Sequence, residues 1–82
     1  MSTLITVIGK DRKGIIAGIS AELANAGINI LDITQTVMDE KFVMIMLVDM
    51  KGATEKFNNI QQKLDKKGDE LGVKVRWDVD LG

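Results

Sequence analysis

Cysteine, histidine and proline are absent from the 82-residue chain. Without cysteine there is no disulfide, no thiolate nucleophile and no sulfur ligand for a metal. Without histidine no side chain has an unperturbed pKa near neutrality, so a general base would have to be a perturbed Asp, Glu or Lys. Aromatic residues are few: Phe42, Phe57 and Trp77, too scattered to stack nucleic-acid bases. Charge of either sign is not in excess, since 11 Lys plus Arg stand against 12 Asp plus Glu, a net charge of −1. Bulk nucleic-acid binding needs a net positive field to neutralise phosphates, and that field is missing. No apolar run is long enough to span a bilayer, and Met1-Ser2-Thr3-Leu4 does not open like a signal peptide. These absences leave a small binding or interaction module ahead of an enzyme, and nothing in them contradicts a cytoplasmic location. They call for neither a cofactor nor a metal.

What is present reads as one domain over residues 1–82, with 45% apolar and 28% charged residues. A chain this short hides only about 60–65% of its unfolded surface, so stability is thin unless a partner contributes. Thr3 to Gly9 is short, apolar and rich in β-branched residues, a strand apolar on both faces. Gly9 to Gly14 is a polar loop bracketed by glycines. From Ile15 to Ala26 the period changes, with Ile15, Ile16, Ile19, Leu23 and Ala26 on one helical face. Gly18 within it implies close approach of this helix to a sheet. Gly27 sits where a left-handed residue ends a helix.

Ile28 to Met38 reads as a long, partly exposed strand, and Asp39-Glu40-Lys41 as a hairpin turn. Phe42 to Met50 is apolar at almost every position, so this strand should be central and covered on both sides. Met44, Met46 and Met50 then fill a core or a subunit contact rather than a cofactor box. Thr54 is placed to N-cap a second helix, with Glu55 in its first turn and Phe57, Ile60 and Leu64 on its apolar face. Lys66, Lys67, Asp69 and Glu70 form its solvated side. Val73 to Val79 alternates cleanly, as an edge strand with one wet face does.

The order is strand, helix, strand, strand, helix, strand. It specifies an α+β, ferredoxin-like βαββαβ sandwich: a four-stranded antiparallel sheet with both helices on one face. Two helices cover only one face. The third strand nevertheless carries Val43, Ile45 and Leu47 on one side and Phe42, Met44, Met46 and Val48 on the other. One set needs a cover that a single chain cannot supply, so copies should associate through the sheet.

The loop before the first helix is the leading candidate site. A helix N-terminus offers unpaired N–H groups and a favourable dipole to an anion. Gly14 permits close approach to the backbone, Lys10, Arg12 and Lys13 add positive charge, and Asp11 adds a carboxylate. An α-amino acid needs donors for its carboxylate and an acceptor for its ammonium. The plainer alternative is that Asp11 caps the loop and the basic residues only solubilise it. Gly9 and Gly14 match the glycine spacing of a P-loop, but Ile15 and Ile16 stand where Lys and Ser or Thr would be required. A metallochaperone of this shape needs a Cys pair. An RNA-recognition domain needs aromatics on strands one and three. An acylphosphatase-like hydrolase would use Arg12 and Asn29, without the Gly-rich loop expected before such an Arg. Asn29, opening the second strand, is the other polar residue of interest, either as a ligand contact or as a local backbone partner.

The stretch I-T-V-I-G-K-D-R-K-G-I-I-A-G-I-S, followed by A-N-A-G-I-N-I-L-D-I, resembles an ACT domain. Gly14-Ile15 and Gly27-Ile28-Asn29-Ile30 occupy the places of its signature. The resemblance covers essentially the whole chain. It is closest to small stand-alone bacterial ACT proteins, and looser to the glycine cleavage system transcriptional repressor. It implies a non-enzymatic regulatory domain, homodimeric or higher, that pairs side by side or through sheet faces. It also implies a small amino-acid-like ligand held at the subunit interface by Asp11, Gly14, Ile15 and Asn29, with no catalytic residue. In serine-binding members the position of Asp11 is usually Asn, and a His stands where this chain has Gly9. Serine specificity therefore does not carry over. With no attached domain, the protein would act allosterically in trans on a partner. A ligand-free interaction module is the alternative.

Overall fold

The computed structural model describes the backbone of residues 2–79 and the side chains of residues 2–78. The elements run β1 (Ser2–Lys10), α1 (Ile15–Asn25), β2 (Asn29–Met38), β3 (Lys41–Asp49), α2 (Phe57–Leu71) and β4 (Val73–Val79). The four strands form one sheet in the order β2-β3-β1-β4, with every neighbouring pair antiparallel. The ferredoxin-like reading therefore holds, with β1 and β3 central.

The helices divide the sheet into a dry face and a bare one. Thr3, Ile5 and Val7 of β1, and Phe42, Met44, Met46 and Val48 of β3, are buried against Ile15, Ile19 and Leu23 of α1 and Ile60 and Leu64 of α2. Leu4, Thr6, Ile8, Val43, Ile45 and Leu47 point to the opposite, uncovered side; Ile8 remains 45% exposed and Ile45 43%. The central strands are thus apolar on both faces but covered on one. The methionines of β3 are core filling. On β4, Val73, Val75 and Trp77 share the helix face, and the ring of Trp77 meets Phe57 edge-on at 5.1 Å. The direction of Val79 lies outside the described residues.

Four details depart from the sequence reading. Ile16 is 40% exposed, because α1 turns only Ile15, Ile19 and Leu23 fully inward. Gly18 admits α2 rather than the sheet: a Cβ there would stand 2.9 Å from Leu71 Cδ1. Thr54 does not cap α2, which begins at Phe57 after Lys56. The Thr54 N–H instead donates to the carbonyl of Ala26 at 2.9 Å, tying this loop to the end of α1, while Glu55 pairs with Lys63 at 2.7 Å. Finally, β2 is more exposed than the partial exposure its Thr and Gln residues imply: beyond Ile30 it is exposed along both faces, including Ile33 (40%) and Val37 (51%). The hairpin between β2 and β3 turns through Asp39 and Glu40, both at positive φ, the conformation that matches strand twist in a two-residue turn.

Gly9 marks the tightest approach. A Cβ at this position would lie 2.6 Å from the Gly72 carbonyl oxygen and 2.8 Å from Val73 Cα, both backbone atoms that cannot rotate away. Gly9→Ala should therefore cost about 1–3 kcal/mol of unfolding free energy, as overpacking typically does. Urea denaturation checks this, and an unchanged midpoint would contradict the packing described.

Candidate ligand site

The antiparallel order fixes where each candidate residue sits. β1 ends at Lys10, opposite Lys41 of β3, and the Asp11 loop follows at that end of the sheet. α1 carries the chain back, and β2 starts at Asn29, opposite Asp49, which in turn faces Ser2. Asn29 and Asp11 therefore stand at opposite ends of one sheet, separated by roughly 27 Å of strand at about 3.4 Å per residue. Asp11, Gly14 and Ile15 are brought together at one end. Asn29 is not brought to them within a chain.

The loop end has a built backbone. The Asp11 N–H donates to the Glu40 carbonyl at 3.1 Å, locking the loop to the tip of the β2–β3 hairpin. Sequence reasoning missed this partner, because a hairpin tip distant in sequence gives no local signal. Gly14 has φ 91°, a left-handed value that suits glycine, and serves as the N-cap of α1 with no side chain bonding to the first turn. No acidic residue lies in that first turn. The space where a Gly14 side chain would stand holds no atom within 4 Å. Ile15 is buried and anchors the turn in the core. A hollow of about 430 Å³ lies beside the loop, lined by Ile8, Gly9, Lys10, Asp39, Glu40 and Lys41. It adjoins the Asp11 loop without including Asp11, Gly14 or Ile15.

Arg12 has a different task. Its guanidinium approaches the Glu70 carbonyl at 3.5 Å, at the carbonyl end of α2, where a cation suits the helix dipole. It is also at the far end of the sheet from Asn29. The phosphate-binding pair that a hydrolase would need is not assembled within the chain. Among the described residues no group of three His, Cys, Asp or Glu is gathered for a metal, and no helix is long and apolar enough to cross a membrane.

Comparison with known proteins agrees with this fold. A family model described as an ACT domain matches residues 2–78. The chain belongs to the ACT-domain family. A UPF0237 protein of Clostridium acetobutylicum is 53% identical over 76 residues, covering 93% of this chain and 85% of that protein. The structure of an ACT domain protein from Streptococcus pneumoniae superposes with a TM-score of 0.81 at 40% identity, covering 94% of this chain and 86% of the other. A putative glycine cleavage system transcriptional repressor shares the fold, with a TM-score of 0.80 at 24% identity, over 93% of this chain and 43% of that one. ACT domains are typically regulatory, ligand-binding domains.

Since Arg12 caps α2, Arg12→Ala should lower stability by about 0.3–1 kcal/mol, with the difference shrinking in high salt. Denaturation at two ionic strengths reads this. A salt-independent loss would mean that the side chain acts by packing instead.

Proposed function

We propose that the protein is a cytoplasmic, non-enzymatic regulator that binds a small amino-acid-like ligand between two copies of itself. Asp11, Gly14 and Ile15 come from one copy, and Asn29 from the other. The observation that carries the reading is the separation of the two half-sites to opposite ends of the sheet. A ligand touching both must lie between chains whose strands run in opposite directions, so that the Asn29 end of one meets the Asp11 end of its neighbour.

The chemistry supports the same class of ligand. First-turn N–H groups of α1 with no side-chain cap suit a carboxylate. The exposed carboxylate of Asp11 suits an ammonium, and the Asn29 amide both donates and accepts. The edge of β2 offers a surface for the contact, since Leu31, Ile33 and Val37 stand exposed beside its unpaired backbone. Ligand binding then favours the paired state over the separate one, and a regulated partner reads the difference. Such coupling typically amounts to 1–3 kcal/mol.

Calorimetric titration with each of the twenty amino acids tests the ligand class. At least one should bind to folded wild-type protein; binding by none removes the amino-acid claim. Asp11→Ala and Asn29→Ala should each abolish that signal. Because each site draws on two chains, mixing the two variants should restore about a quarter of the sites: half the pairs are mixed, and each mixed pair has one intact site of two. No restoration would sink the shared site.

A further inference from the structure

The hollow beside the Asp11 loop has a chemical preference of its own. Its one aliphatic lining side chain is Ile8, which keeps 45% of its surface in water. Lys10 and Lys41 also line it, directly opposite each other in the β1–β3 register. Like charges in opposed positions repel, so the two ammonium groups are best placed apart in water, with their methylene stems left beside Ile8. Neither lysine forms an ion pair among the described residues. Asp39 and Glu40 add two carboxylates from the hairpin tip, and Gly9 adds only backbone.

Each class of ligand side chain meets this lining differently. An acidic group entering the hollow meets Asp39 and Glu40, and a basic one meets Lys10 and Lys41. In either case attraction to one pair is offset by repulsion from the other, while the entering charge loses part of its hydration. All four charged residues are exposed, so a hydroxyl or amide exchanges water for a hydrated partner and gains little. An aliphatic side chain pays no such cost and takes both itself and Ile8 out of water. A volume of about 430 Å³ lies within the range of small-molecule sites and is far more than a methyl group fills.

The hollow is continuous with the ligand loop. Asp11 follows Lys10 in the chain, and its N–H donates to the carbonyl of Glu40, so two lining residues hold the loop in place. A ligand whose charged groups engage Asp11 and the first turn of α1 has the hollow beside it.

We propose that the ligand is an α-amino acid with a large aliphatic side chain, that this side chain enters the hollow, and that Ile8 is the residue that determines the specificity. The proposal rests on the reading that the Asp11 loop takes the charged groups of an amino acid, and adds which side chain that amino acid carries.

Calorimetric titration of leucine, alanine, serine, glutamate and lysine into wild type and Ile8→Ser tests it. Wild type should bind leucine about tenfold or more tighter than alanine, and tighter than the three polar amino acids. In Ile8→Ser the ratio of leucine to alanine affinity should fall to about one to three. Ile8 lies on the uncovered side of the sheet, so circular dichroism should not change. A ratio taken within one variant also cancels any effect of the substitution on pairing between copies. Ile8→Val, one methylene shorter, repeats the test with a fall in the ratio of about threefold, should the serine variant fail to fold. Tightest binding of serine, glutamate or lysine, or a ratio unchanged by either variant, would overturn the proposal and leave the amino-acid reading standing. Binding of none of the twenty amino acids would remove both.

Discussion

The constraint on which the rest depends is that two helices cover one side of a four-stranded sheet whose middle strands are apolar on both sides. On the covered side, Ile5, Val7, Met44, Met46 and Val48 are closed off entirely against the helices. On the other, Ile8 and Ile45 keep 45% and 43% of their surface in water. Covering each of these two side chains would contribute roughly 1 kcal/mol, about half the value of burying a fully exposed isoleucine. In a domain this small such increments matter, because the covered core alone leaves little margin. A cover for the second face is therefore a question of stability as much as of function.

The same topology decides where the candidate site residues fall. Each antiparallel reversal moves the chain from one end of the sheet to the other. The loop after β1 and the start of β2 are separated by one helix, and so fall at opposite ends. The loop end is stiffened by the Asp11–Glu40 backbone bond and by Arg12 against the end of α2. A stiff anion-ready turn at one end and a lone amide at the other cannot close on one small molecule. In the proposed pair, reversal of strand direction between copies would bring the unlike ends together.

The fold was legible in the sequence because its local signals agreed: β-branched strands, helical spacing from Ile15 to Leu23, a glycine after the first helix, and strict alternation from Val73 to Trp77. Misreadings fell where a local signal met a distant competitor. Thr54 has the right hydroxyl for a cap, yet its N–H is held by Ala26 from another part of the chain. Gly18 was correctly a place of close approach, but the partner is Leu71 of α2, which periodicity cannot identify. Asp11, Gly14 and Asn29 were legible as residue types, and Gly14 as a place of close backbone approach; its left-handed φ of 91° emerged only in the folded chain. Their distribution between two ends follows from counting reversals, whereas the hairpin tip that braces Asp11 follows only from the folded register.

The most direct measurement is on the methyl groups of Ile8 and Ile45. NMR relaxation by a soluble paramagnetic agent reports how closely solvent reaches each one. If copies meet through the bare face, these methyls are shielded at high protein concentration and become accessible on dilution, while the Ile16 methyls remain accessible throughout. Equal accessibility of Ile8, Ile45 and Ile16 at every concentration would contradict the account.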